Sequence, residues 1–272
     1  MNIDWGAAGL ATDIQAIESD SGGMLCMTAR NLRTGHTVRH NGDRRCKTAS
    51  VIKLPILVHA AMAEAEGKLA WSDQLTLTDA EKVGGSGVLT QLTAGLELTL
   101  RDVCVLMTIV SDNTATNMLI EHLGVDPINA RIRSLGLPLT TLYRKSYTPD
   151  TEASRPYGLG MTTPDEMADL LQMLAENRAG DAAVSRTVLD ILKGQTLRDS
   201  IPRVLPEEWK YAGKTGGVDG VRNDVGLVTA PDGTQLVLAL FFQDLTDLRW
   251  TPDNAGLVSL GRVTSRLLQI DK

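Results

Sequence analysis

Long hydrophobic runs are missing from this chain of 272 residues. No stretch reaches the roughly 18 consecutive apolar residues that a membrane-spanning helix needs, which excludes one. Basic charge is not in excess either. Lys and Arg number 27 against 33 acidic residues, for a net charge of −6; this argues against a nucleic-acid-binding surface and against an anionic membrane as partner. The start, Met1-Asn2-Ile3-Asp4-Trp5, has no basic n-region and no continuous apolar h-region, so no secretory signal peptide is read there. The expectation is a cytoplasmic protein, or a periplasmic or secreted one if an export signal was removed. Cysteine is scarce: Cys26, Cys46 and Cys104 are an odd set without a C-x-x-C pattern, expected as buried reduced thiols. None of the four histidines sits where it would complete a Ser-His-Asp triad. His36 and His40 are four apart, but on a predicted strand, where that spacing makes no chelating face. No metal and no other cofactor is expected.

What is present suits a soluble globular protein. Apolar residues make up 43% and charged residues 22%, and the length suffices for one large domain or two packed lobes. Helical spacing runs through residues 10–20, followed by strand-like runs at 24–32 and 36–40. Thr48–Glu66 reads as a helix ended by Gly67, with Pro55 inside it and expected to remove a hydrogen bond to the carbonyl of Val51. An apolar helix from Leu100 to Val110 precedes another at Thr114–Leu123, closed by Gly124. Thr163 and Pro164 have the form of an N-cap and first helical residue for a helix through Leu174. Val225–Thr229 and Gln235–Phe242 flank Pro231-Asp232-Gly233 as an antiparallel hairpin. A last helix runs from about Asn254 to Gln269. Neither end has enough strands for its own sheet, so the two ends are expected to share one. The predicted fold class is α+β: an α/β lobe from residues 1–47 and 195–272, its antiparallel sheet flanked by terminal helices, with an all-helical lobe, 48–194, inserted.

Three short motifs follow one another: Ser50-Val51-Ile52-Lys53, Ser111-Asp112-Asn113 and Lys214-Thr215-Gly216. They have the form of the S-x-x-K, S-D-N and K-T-G set of serine enzymes that pass through acyl intermediates. Ser50 and Lys53 lie three apart at a helix start and so share a face. A serine hydroxyl needs a base to become a nucleophile, and Lys53 can serve if burial or nearby positive charge, such as Lys214, lowers its pKa. With these motifs the chain resembles the class A β-lactamase and penicillin-binding-protein superfamily over nearly its whole length. The resemblance implies roles residue by residue. Ser50 is the nucleophile and Lys53 its base, while Ser111 bridges Lys53 and Lys214 and passes a proton to the leaving nitrogen. The backbone N–H groups of Ser50 and Gly217 form the oxyanion hole. Asn113 holds the substrate's amide side chain. Lys214, Thr215 and Gly216 line the grip on a substrate carboxylate, with Arg222 as assisting cation or, alternatively, as a salt-bridge partner of Asp224 or another neighbour. A disulfide found in some class A enzymes cannot form, because Leu57 stands opposite Cys104. The 84–87 glycine stretch is expected either to border the cleft or to be an ordinary turn.

One element of the class A pattern is absent. Those enzymes carry a glutamate, usually in an E-P-x-L-N run, that activates the water clearing the acyl-enzyme. Aligning Leu142–Glu152 on Pro149 puts Thr148 at that place, with Asp150 and Glu152 out of register. The expectation is a β-lactamase-related serine hydrolase that is acylated on Ser50 by amide (β-lactam or peptide-like) or ester substrates and turns over β-lactams slowly. Tyr143, Tyr147, Asp150 and Glu152 are candidates for a replacement base. The alternatives are a D-Ala-D-Ala carboxypeptidase of penicillin-binding type and a penicillin-sensing module without turnover. The expected partner is a small-molecule or peptide-like substrate, and no apolar heptad points to an oligomer.

Overall fold

A computed structural model describes residues 7–270; the chain start, where an export signal was sought, lies outside them. Strand β1 (Met24–Asn31) pairs with β2 (Thr37–His40), and the distant β8 (Lys210–Val218), β9 (Val221–Thr229) and β10 (Gln235–Gln243) complete one antiparallel sheet in the order β2-β1-β10-β9-β8. The two ends of the chain therefore do share a sheet.

Strand β10 shows why. Its run Leu-Val-Leu-Ala-Leu-Phe-Phe is apolar without alternation, as expected of a strand covered on both faces. Val237, Ala239 and Phe241 join the core beneath the central helices, whereas Leu236, Leu238, Leu240 and Phe242 join a second core. That second core is made with Leu10, Ile14 and Ile17 of α1 (Ala7–Ser21) and Leu260, Val263 and Leu267 of α8 (Ala255–Ile270).

The central segment holds α2 (Lys53–Ala65), α3 (Leu100–Ile109), α4 (Asn113–Leu123), α5 (Val125–Ser134), α6 (Pro164–Ala175) and α7 (Ala182–Lys193). We propose 47/48 and 194/195 as the lobe boundaries, because all six helices lie between them and every strand of the large sheet lies outside. The inserted part is not wholly helical. β4 (Gln74–Thr76) pairs with β5 (Glu97–Thr99), and β6 (Thr141–Leu142) and β3 (Cys46–Lys47) flank β7 (Gly160–Thr162). Runs of two or three residues are too short for periodicity to reveal.

Local chemistry sets the helix starts. The Thr163 hydroxyl accepts from the Glu166 N–H at 3.2 Å with Pro164 at the first position of α6. The expected 48–66 helix differs from its reading: Ala49–Ile52 is a 3-10 turn, and the α-helix begins at Lys53. Pro55 thus falls in the first turn of α2, where the backbone N–H has no intrahelical partner to lose. Cys26, Cys46 and Cys104 are buried and unbonded, and no described helix is long and apolar enough to cross a membrane.

Candidate active site

The nucleophile candidate sits where the chain is held from both sides. Ala49, just before it, has a φ of +45°, a region costly for a residue with a Cβ. The Lys47 N–H donates to Gln243 Oε1 at 3.0 Å, and Asn223 Nδ2 donates to the carbonyls of Lys47 and Thr48 at 2.9 and 3.1 Å. Strand β8, at the sheet's edge, lies directly against this turn. A Cβ on Gly216 would come 2.7 Å from the Thr48 carbonyl oxygen and 3.1 Å from the Ser50 nitrogen, so K-T-G reaches Ser50 only because its third residue has no side chain. Ser50 and Gly217, whose N–H groups are expected to form an oxyanion hole, line one cleft of about 830 Å3.

Lys53 is one turn beyond Ser50, its N–H donating to the carbonyls of Ser50 and Val51. The side chain is fully buried. Its Nζ lies 2.7 Å from the Ser111 carbonyl oxygen, 3.2 Å from Ser111 Oγ and 2.8 Å from Asn113 Oδ1. Two of these neighbours can only accept, and the hydroxyl can also donate. A neutral amine, with two N–H bonds and one lone pair, is therefore accommodated as fully as an ammonium. Burial, and after it the charge of Lys214, hold the Lys53 pKa well below the ordinary lysine value, against a smaller opposing pull from Asp112.

Ser111 owes its place to a φ of +55° between α3 and α4. Asp112 was assigned no chemistry, and the structure gives it an architectural task. One carboxylate oxygen caps α4 at the Ala115 N–H (2.9 Å), and the other accepts from Val88 and Leu89 N–H at 2.6 and 2.9 Å. It ties the 84–89 loop to the S-D-N turn. The cleft-border reading of that loop holds: Gly85 and Ser86 line the cleft, and a Cβ on Gly87 would fall 2.2 Å from the Asp112 carboxyl carbon. The signal for Asp112 was present in the sequence, an Asp immediately before a helix.

Lys214 is also fully buried, and burial lowers its pKa to about 7, opposed by the charge of Asp224. The expected Ser111 bridge is half formed. Ser111 Oγ meets Lys53, whereas Lys214 Nζ donates to the Thr215 carbonyl at 2.9 Å.

Arg222 is not brought into the cleft lining. Its guanidinium donates to the carbonyls of Val218 (2.8 Å), Val221 (2.7 Å) and Arg249 (2.7 Å) and lies 4.3 Å from the centre of the Trp250 ring. These donors hold backbone carbonyls on either side of the β8–β9 turn and in the segment after β10. Asp224 is not its partner either. That carboxylate is engaged by the hydroxyls of Ser200 and Tyr211 and by the Ile201 N–H. Trp250, two-thirds exposed, joins the lining unannounced by any sequence motif.

The 143–160 segment forms the facing wall with Arg144, Ser146, Tyr147, Thr148, Arg155 and Tyr157. Of the replacement-base candidates, Tyr147 faces the cleft. Tyr143 packs on Tyr157 and its hydroxyl approaches Met161 Sδ. Asp150 is bound by Ser154 Oγ and Arg144, which hold its carboxyl below its usual range. Neither Asp150 nor Glu152 lines the cleft, whose lining includes one carboxylate, Asp219, from the β8–β9 turn.

Residues 9–270 match the family described as the β-lactamase enzyme family. A β-lactamase of Citrobacter koseri is 30% identical over 233 residues, which cover 84% of this chain and 78% of that protein. β-Lactamase L2 of Stenotrophomonas maltophilia is 28% identical over 264 residues, 95% of this chain and 86% of its own. The crystal structure of a β-lactamase from Sphaerobacter thermophilus is similar at a TM-score of 0.88 and 39% identity, covering 98% of this chain and 97% of that one. A mutant of PBP-A, in an acyl-enzyme complex with penicillin G, is similar at 0.85 and 25% identity over 96% and 94%.

Proposed function

The chain belongs to the β-lactamase enzyme family and is an amide-hydrolysing serine hydrolase, and from that premise we propose that it opens β-lactams through an acyl-enzyme on Ser50 that it clears slowly. The observation that carries this is the buried Lys53 amine, joined to Ser111 and Asn113 one helical turn from a cleft-lining serine.

Neutral Lys53 takes the Ser50 hydroxyl proton as Oγ attacks the lactam carbonyl. The developing oxyanion is met by the N–H groups of Ser50 and Gly217, worth about 3–4 kcal/mol per donor. As the C–N bond breaks, Lys53 returns the proton through the Ser111 hydroxyl to the leaving nitrogen. Charged Lys214 and the Thr215 hydroxyl attract the substrate carboxylate, and Asn113 meets its amide side chain. Water must then attack the ester, and this is the slow step: Thr148 has no basic group to activate it, and the acids nearest in sequence stand outside the cleft lining.

Stopped-flow mixing with a chromogenic cephalosporin tests the reading. It predicts a burst of ring opening equal to the enzyme present, then a steady rate far below it. Steady hydrolysis without a burst, at rates usual for fast β-lactamases, would contradict it. A second reading, a D-Ala-D-Ala carboxypeptidase, is favoured by the same missing glutamate and by the likeness to PBP-A. Release of D-alanine from a diacylated Lys-D-Ala-D-Ala peptide by wild type but not by Ser50→Ala protein would establish it.

A further inference from the structure

The cleft contrasts in charge with the rest of the molecule. The chain as a whole carries −6, yet the cleft lining holds Lys47, Arg144 and Arg155 against the single acid Asp219. Arg144 is neutralised, since its guanidinium is paired with Asp150 at 2.8 Å. Lys47 and Arg155 have no carboxylate within ion-pair distance among the described residues. The Lys47 backbone is held on both sides, its N–H donating to Gln243 and its carbonyl accepting from Asn223, and the residue lines the cleft.

These two cations come from elements other than the strand that carries K-T-G. Lys47 ends β3, which pairs with β7 through Lys47↔Met161, and Arg155 lies in the segment leading into β7. Lys214, Thr215 and Asp219 belong to β8 and the turn after it. Ser50, three residues after Lys47, lies against Gly216 and lines the same cleft. An anion held by Lys214, which is outside the cleft lining, leaves Lys47 and Arg155 without a bonded anion, Asp150 acting on Arg155 through its charge alone. Resting on the acyl-transfer reading above, we propose that Lys47 and Arg155 form a second anion subsite, so that the preferred substrate is dianionic: one carboxylate toward K-T-G and another acidic group on the acyl side. Unpaired cations in a walled cleft raise the local concentration of such a substrate and orient it.

The test compares benzylpenicillin with α-carboxybenzylpenicillin, which differs by one carboxylate on the acyl side. Equilibrium binding is measured on Ser50→Ala protein, which cannot be acylated. The expected result is tighter binding of the dianion by about three- to tenfold at low salt, a preference that shrinks as salt is added. The ratio should fall toward one when Lys47→Ala or Arg155→Ala is added to Ser50→Ala, but not when Arg33→Ala, a remote cation change, is added. Equal binding of the two penicillins, or a preference that survives both cleft substitutions, would overturn the subsite while leaving the acyl-enzyme reading intact. Failure of benzylpenicillin to acylate wild-type protein would overturn that reading instead, and the binding ratio would still decide the subsite.

Discussion

Two lysines that ordinarily share one pKa are asked here to hold different charges at the same pH. Lys53 must be neutral to take a proton, and Lys214 must be charged to attract a carboxylate. Burial lowers both, but Lys53 also feels Lys214, whereas Lys214 is supported by Asp224. Acylation by an anionic lactam should therefore fall above about pH 7, as Lys214 loses its proton. In Lys214→Arg protein the guanidinium keeps its charge, so that falling limb should move up by more than one pH unit in a pH profile of the acylation rate. An unmoved limb would mean that another group titrates. Thr148 gives the complementary prediction. It lines the cleft, and alignment on Pro149 gives it the place of the class A glutamate, so Thr148→Glu should shorten the acyl-enzyme lifetime by at least about tenfold, read as the decay of the adduct after excess lactam is removed. The motif residues were legible from their spacing. What Arg222 meets was not legible, because spacing reports proximity along the strand but not which carbonyls a guanidinium will meet.

At the scale of elements, the site depends on an edge strand, a 3-10 turn and a capped helix arriving together. Gly216 marks the closest approach between strand and turn. Gly216→Ala should move β8 off the Ser50 turn and slow acylation by up to about 100-fold in a rapid-quench measurement, with the thermal midpoint falling by about 2–10 °C. Asp112 acts on the other side. Removing this buried carboxylate leaves three backbone N–H groups without their acceptor, so Asp112→Ala should cost about 2–3 kcal/mol and lower the thermal midpoint by about 5–10 °C, seen by calorimetry. Helices α1, α3, α4, α6 and α8 and the β9–β10 hairpin were readable because periodicity, caps and turn residues agreed, whereas α5 and α7 were not picked out. The short strands β3 to β7 and the 3-10 start of the nucleophile segment were not. Their geometry is imposed by tertiary contacts such as Asn223 on Lys47 and Thr48.

At the scale of the molecule, the sheet made from both chain ends carries K-T-G on its free edge, and the inserted helices bring S-x-x-K and S-D-N against it. Three of the six non-glycine residues with positive φ among the described residues, Ala49, Ser111 and Tyr147, belong to this junction, and strain tends to gather at working sites. The same arrangement puts a cation-rich cleft into an acidic protein and leaves the cleft-lining residues of 143–160 without a carboxylate. Acylation and its clearance are thereby separated. On the proposed reading the motifs serve the first, and of the replacement-base candidates only Tyr147, not a carboxylate, lines the cleft for the second. Intact-protein mass spectrometry, timed after mixing with benzylpenicillin and run beside Ser50→Ala protein, tests this most directly. The account predicts an adduct of one penicillin on the wild type only, persisting for hours. An adduct that vanishes within seconds as hydrolysed product accumulates, one that also forms on Ser50→Ala, or none at any time would contradict it.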